Sequence, residues 1–369
     1  MRKIIEDVRF IQDGTMVFGD IHLEDGFVER IDYKSLKMNS DYAISGFVDI
    51  HTHGFCGICC DNTDVDELHK LAEEYARRGT VGFCPTLSVR SLKEYEAIIN
   101  AYREAFQGEY KGARFLGFHL EGPYVNPAMV CDENKKRVPS IDLGELEAFM
   151  KKHHDMIAIM TIAPELDHAM EAIRILHRYG IIISLGYSCA DYETALQAIR
   201  EGASHITHVC NHMNEIDYRR PGLIDAALVQ DVMCELDMDG VHVNEVMLRW
   251  LMRLLGPKRV MAISNGGKYC GFEYPDGFEL EDGGIVKNRV VYREEAETES
   301  TKDLLETFQF LFHTNDYDLY ECIRMTSLNA LQRLRVFTGE ISLGKKVNLA
   351  VMTHDMEIKD VVINGKSIY

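Results

Sequence analysis

The chain has 369 residues, 46% hydrophobic and 27% charged, enough for two ordinary domains or one large barrel with an accessory lobe; a peptide-sized module and wholesale disorder are excluded. Forty Lys and Arg against 59 Asp and Glu leave a net charge of −19, which argues against nucleic acid as a partner, because that binding runs on cationic side chains displacing phosphate counterions. A small phosphorylated ligand would need Arg, Lys, His or backbone N–H groups placed locally.

The first residues, Met1 to Asp7, reach acidic side chains before any apolar leader region forms, and no later stretch holds about 18 uninterrupted apolar residues. The expectation is a soluble cytoplasmic protein with no membrane partner. Short β-rich runs follow, at Lys3 to Ile11, Thr15 to Leu23 and Phe27 to Ile31, punctuated by Asp13-Gly14 and Asp25-Gly26 turns. From Gly46 onward, strand-length apolar runs alternate with helical periodicity. The runs are Gly46 to His51, Thr80 to Thr86, Arg114 to Leu120, Ile157 to Ile162, Ile181 to Leu185, His205 to Val209, Val232 to Leu236 and Arg259 to Ser264. Helical periodicity is clearest in Asp64 to Arg78, Leu92 to Phe106, Leu143 to His153, Asp191 to Arg200, Asn244 to Leu255 and Thr301 to Phe312. Apolar strands separated by helices imply a parallel sheet buried on both faces, and eight such units favour closure into a barrel over an open sheet. Gly266 to Arg293 breaks the alternation and reads as an inserted hairpin or loop, while Lys346 to Tyr369 returns to β-rich patterning with an Asn364-Gly365 turn. The expected fold is α/β: a distorted (β/α)8 TIM-like barrel over residues 45–335, with a small β-sandwich domain built from both chain termini, 1–44 plus 336–369.

A barrel of this kind carries its chemistry at the C-terminal ends of its strands. The first run ends in His51-Thr52-His53, and H-x-H on an extended chain turns both imidazoles to one side, where they can share a metal or form a solvated pair. The third ends in His119-Leu120-Glu121-Gly122-Pro123, so Glu121 reads as a ligand or a capping acid; the sixth runs into His208, a ligand or a core histidine. Ten cysteines in a chain large enough to need no staples are expected as reduced thiols. Cys56, Cys59 and Cys60 follow the H-x-H closely and could add a thiolate or be incidental, as could Cys189 and Cys210.

These motifs, with Gly46 to Gly54, His119 to Tyr124, Thr207 to Met213, Arg219 to Leu223 and Asp239 to Val243, occur in an order that resembles the N-acetylglucosamine-6-phosphate deacetylases of the amidohydrolase superfamily, nearly end to end. The resemblance implies metal-assisted hydrolysis of an N-acetyl amide on an amino-sugar phosphate. By position, it implies that His51 and His53 hold a divalent metal, zinc or iron, that Glu121 ligates or bridges, and that His208 ligates. One ion is favoured over two. It implies that His242 meets the substrate near its acetyl or phosphate end and that Asn211 and the following backbone at His212 cradle the phosphate. Arg219 would reach a phosphate across the interface of a homodimer; the alternative reading of Arg219 and Arg220 is a solvated surface pair.

Two positions depart from that pattern. Tyr187 stands where the resemblance implies a histidine ligand, and a phenol with an ordinary pKa near 10 is costly to deprotonate at neutral pH. Asn265 stands at the catalytic aspartate position, and an amide cannot carry the proton. The segment after Tyr124 also lacks the basic element of that family, and Lys287 to Arg293 replaces a Gly-rich run. Three readings remain: an altered deacetylase-like hydrolase; a catalytically impaired relative that binds a sugar phosphate or a partner; and a different hydrolysis or isomerisation that uses an altered metal site or a thiol.

Overall fold

The computed structural model describes residues 2–130, 135–293, 296–314, 316–336 and 338–369. The chain opens with four strands, β1 (Arg2–Gln12), β2 (Thr15–Glu24), β3 (Phe27–Tyr33) and β4 (Asp41–Ser45). The barrel begins at β5 (Phe47–Thr52), followed by a small ribbon of β6 (Gly54–Phe55) and β7 (Ile58–Cys59). Next come β8 (Thr80–Leu87), β9 (Arg114–Phe115), β10 (Phe118–Glu121), β11 (Ile157–Ile162), β12 (Ile182–Leu185), β13 (His205–Ile206), β14 (Met233–Asp237) and β15 (Val260–Ile263). The inserted segment forms an antiparallel sheet of β16 (Ile285–Lys287), β17 (Val290–Arg293) and β18 (Ala296–Ser300), and the chain ends in β19 (Leu349–Met352), β20 (Ile358–Ile363) and β21 (Lys366–Ser367).

The barrel strands pair in parallel in the order β15-β14-β13-β12-β11-β10-β8-β5, with β9 alongside β8. The open edge is drawn shut where the Asn265 amide donates to the His51 carbonyl at 3.1 Å. Two further contacts reach Asp49 Oδ1, from the backbone N–H groups of His51 at 3.2 Å and Ser264 at 3.5 Å. The arrangement is that of a TIM-like barrel, as the alternation of runs implied. The run Arg114 to Leu120 is broken at Gly117, whose φ of +103° lies outside strand geometry and where a Cβ would come within 2.9 Å of Ala158.

Helix starts follow local capping chemistry. Asp64, Ser91, Asp142, Asp191, Asn244 and Asp303 each accept a backbone N–H of the first turn, and Ser91–Glu94 and Asp303–Glu306 close capping boxes. Four helices among the described residues were not expected from periodicity, Ala169–Arg178, Leu223–Val229, Leu319–Ile323 and Asn329–Arg333; of these only Leu319–Ile323 starts with a side-chain cap, at Asp318.

Both termini build one seven-stranded sheet, β21-β20-β19-β4-β1-β2-β3, separate from the barrel sheet. It curls over its own core of Ile5, Phe10, Ile21, Leu23, Val347 and Leu349. The β2–β3 turn meets the β20–β21 turn so closely that a Cβ on Gly365 would lie 2.5 Å from the Gly26 nitrogen. The barrel core is apolar on its helix side: Phe47 is fully buried and packs on Phe308 with ring centroids 5.3 Å apart. Phe47→Ala is expected to cost about 3–5 kcal/mol in urea unfolding, while Leu343→Ala, at a side chain 61% exposed, is expected to change stability by less than about 0.5 kcal/mol.

Candidate active site

Strand periodicity decides which side chains meet inside the barrel. On β5, Asp49 and His51 share a parity that His53 continues; on β10 it is His119 and Glu121; on β14 it is Glu235 and Asp237. Register brings these rows level, with His119 opposite Thr86 on one side and Ile159 on the other, and Glu121 opposite Thr161.

Glu121 is the meeting point. Its Oε1 lies 3.0 Å from His208 Nε2 and 3.2 Å from His51 Nε2, and its Oε2 lies 3.6 Å from His53 Nε2. His51, Glu121 and His208 are buried, while His53 faces the cavity. Burial pushes the Glu121 carboxyl up, but the neighbouring His51, His208 and His53 outweigh it and hold the group well below the usual carboxylate range. For His51 the opposition runs the other way: burial disfavours the imidazolium, and Glu121 and Glu235 together raise its pKa to about 10. His53, desolvated and beside other imidazoles, is lowered to about 4 and so is neutral.

Behind this cluster lies a second ring of polar groups. His51 Nδ1 meets Glu235 Oε2 at 2.9 Å, which fixes the proton on Nδ1 and aims Nε2 at Glu121. His119 donates toward the Ile50 carbonyl at 3.1 Å and meets Thr161 Oγ1 at 2.8 Å, so both of its nitrogens are engaged. Thr161, Thr207 and Ser184 continue the chain at 2.9 and 2.6 Å. Glu235 was missed in the sequence, although its alternation with Cys234 and Leu236 inside an apolar run is a legible signal.

The remaining candidate residues fall in three places. Tyr187, Asn211, His212, His242 and Asn265 line one cavity of about 690 Å³ together with His53, Glu121 and His208. The Tyr187 ring stacks on His212 at 4.5 Å and meets His208 edge-on at 5.1 Å. Asn211 Nδ2 is buried without a hydrogen-bond partner. His242 Nδ1 lies 2.6 Å from Asp239 and 3.3 Å from Asp237, and Asn265 Nδ2 donates to Asp237 at 3.1 Å. Tyr187, His208 and Asn265 follow β12, β13 and β15 with φ of +47°, +26° and +46°, left-handed conformations that the strand ends impose on non-glycine residues.

Arg219 lies elsewhere. It is exposed, stacks over its neighbour Tyr218 at 5.1 Å, and lines a separate cavity with Cys189, Asp217 and Arg220. None of the nine cysteines among the described residues is in a disulfide. Burial pushes Cys56 up to about 12 and Cys210 to about 11, and raises Cys59, Cys60 and Cys189, so these thiols are poor nucleophiles and poor sources of a thiolate ligand.

Residues 42–368 match the sequence model of the amidohydrolase family. The chain belongs to the amidohydrolase family. Among curated relatives, the N-acetylglucosamine-6-phosphate deacetylase of Bacillus subtilis is 26% identical over 98% of this chain and 96% of its own length. The N-acetylgalactosamine-6-phosphate deacetylase of Shewanella sp. (strain ANA-3) is 26% identical over 90% and 84%. The same fold appears in the crystal structure of N-acetylglucosamine-6-phosphate deacetylase from Thermotoga maritima, with a TM-score of 0.87 at 22% identity, covering 100% of this chain and 99% of that one. A Mycobacterium smegmatis N-acetyl-D-glucosamine-6-phosphate deacetylase variant, solved in complex with N-acetyl-D-glucosamine-6-phosphate, gives 0.89 at 21% identity with the same coverage.

The residues of this amidohydrolase fit a divalent ion. One ligand atom each from His51, Glu121 and His208 lies within 4.8 Å of the others, with His51 Nε2 and His208 Nε2 both facing the carboxylate, and this donor set of imidazole nitrogens around one carboxylate suits a borderline-soft metal. Because Glu121 and Glu235 keep His51 protonated up to about pH 10, ion binding at pH 7 must displace that proton. Affinity should therefore rise about tenfold per pH unit between pH 7 and 9, and calorimetry in buffers of different ionisation enthalpy should show about one proton released per ion. Glu235→Gln, which removes the carboxylate behind His51, is expected to weaken the ion about 10–100-fold in a chelator competition.

Proposed function

We propose that this amidohydrolase removes the N-acetyl group of an amino-sugar phosphate, releasing acetate and the free amine, with His51, His53, Glu121 and His208 holding a single zinc or iron ion. The observation that carries the reading is the convergence of three imidazoles on the buried Glu121 carboxylate at the floor of a substrate-sized cavity. Such an ion polarises an acyl carbonyl and makes water a stronger nucleophile at neutral pH. The substrate class follows the relatives that match nearly end to end and are named for the 6-phosphates of N-acetylglucosamine and N-acetylgalactosamine.

In this reading Asn211, with its unpartnered amide nitrogen, and His212 bind the substrate beside His242. Arg219, exposed and outside the cavity of its own chain, serves a second copy in a homodimer and grips the phosphate there, a task suited to its planar fork. Tyr187 is a wall of the cavity packed on His208 rather than a ligand. No helix of the described residues is long and apolar enough to cross a membrane; a cytoplasmic location belongs to this reading because its substrate is a phosphorylated sugar.

A second reading rests on Asn265: with an amide at that strand end, the chain would bind the sugar phosphate without turning it over. Acetate release from N-acetylglucosamine 6-phosphate, by protein loaded with zinc or iron against chelated protein, separates the two. Metal-dependent release is expected. Binding of the sugar phosphate with no acetate above the chelated control would establish the second reading instead.

A further inference from the structure

Asn265 leaves the end of β15 without a group that can exchange a proton, yet two acids that sequence reading did not assign stand directly behind it. Asp237 closes β14, is 1% exposed, and accepts from Asn265 Nδ2 at 3.1 Å, so the amide turns its Oδ1 away from this acid. The same Asp237 Oδ2 lies 3.3 Å from His242 Nδ1. Asp239 Oδ2 lies 2.6 Å from that nitrogen, while Asp239 Oδ1 accepts the backbone N–H groups of Val241 at 2.8 Å and His242 at 3.0 Å. One imidazole is thus held by two carboxylates through Nδ1, and Nε2 is the ring nitrogen left for the cavity that His242 shares with Glu121, His208 and Asn265.

We propose that His242, backed by Asp237 and Asp239, is the proton donor to the departing amine in place of a carboxylate at position 265, an assignment that rests on the hydrolytic reading above. Asp237 is the positioning residue: it fixes both the Asn265 amide and the His242 ring. The charges support the geometry. Burial alone would disfavour the imidazolium, but Asp239, Asp237 and, from β18, Glu297 reverse this and raise His242 to about 9, so it carries its proton at neutral pH. His212, on the same cavity wall, is itself held down mainly by burial and in part by the His242 charge; of the basic side chains nearby, Arg293 lines the cavity and Lys302 Nζ donates to the Asp239 carbonyl at 2.8 Å. Burial and the neighbouring Asp239 push the Asp237 carboxyl upward, and His242 holds Asp239 below its ordinary value.

In the reaction, the oxygen of water bonds to the acyl carbon. The C–N bond then breaks, its electron pair stays on nitrogen, and nitrogen takes the proton from His242 Nε2. Of the two protons of that water, one returns the imidazole to its charged form and the other leaves on the carboxylic acid product, so one water is consumed and no oxidant or further reactant is needed.

The test uses the full chain. Histidine-ring NMR, with the His242 signal assigned from His242→Gln, should show the imidazole titrating near 9 and falling by at least about one pH unit in Asp237→Asn. In the metal-loaded protein with N-acetylglucosamine 6-phosphate, His242→Gln should lower kcat by about 10²–10⁴-fold with KM changed less than about threefold. The alkaline limb of kcat should move to lower pH in Asp237→Asn; should that variant not fold, Asp239→Asn carries the same measurement. An imidazole neutral at pH 7 in the native protein, or a His242→Gln kcat within about tenfold of native, overturns the donor role while leaving hydrolysis intact. No turnover by native protein whose His242 is charged overturns the hydrolytic reading, and the donor role with it.

Discussion

The structure depends on where a single carboxylate can be kept ionised away from water. Glu121 sits at the end of a central barrel strand, buried, with imidazole nitrogens on both of its oxygens. An isolated carboxylate would not stay charged there, and three clustered imidazoles would not readily share protons without it. The geometry of the mouth follows from that mutual need: His51 is oriented by Glu235 from behind, His208 is held in a left-handed conformation, and His53 stays neutral at the cavity edge.

Across the same cavity the charge pattern is inverted. On one side a single acid is surrounded by three imidazoles; on the other a single imidazole is held by two acids, Asp237 and Asp239. The first arrangement concentrates electron-pair donors and suits a cation, whereas the second stores a proton. Both draw on the inward row of β14, where Glu235 serves the first cluster and Asp237 the second, two residues apart on one face of the strand.

Much of this was legible before the structure. The apolar runs marked the barrel strands because a parallel sheet covered by helices has no wet face, and His51, His53, Glu121 and His208 stood out as polar residues ending such runs. Six helices were legible through their periodicity, whereas the helix Ala169–Arg178, which begins at His168 with no side-chain cap, was passed over. Glu235 and Asp237 were hidden because the run around them was read for its hydrophobicity and not for its alternation. His119 was quoted within a motif without a role, since only the fold shows that its nitrogens tie β10 to the Ile50 carbonyl and to Thr161. Arg219 illustrates a different limit, because its position outside the cavity depends on how the loop before Gly222 folds back, which residue spacing does not reveal.

The terminal sheet sets the order in which the molecule can be assembled. β4 is flanked by β1, which precedes the barrel in the chain, and by β19, which follows it, and Lys3 pairs with Asp360 at 2.6 Å across this separation. These contacts have very large sequence separation, so closing them carries a high loop entropy and places them late in folding. During synthesis β1 to β4 emerge with one edge unpaired until residues 349–367 leave the ribosome, and for that interval the nascent chain exposes a strand edge open to pairing with a neighbouring chain.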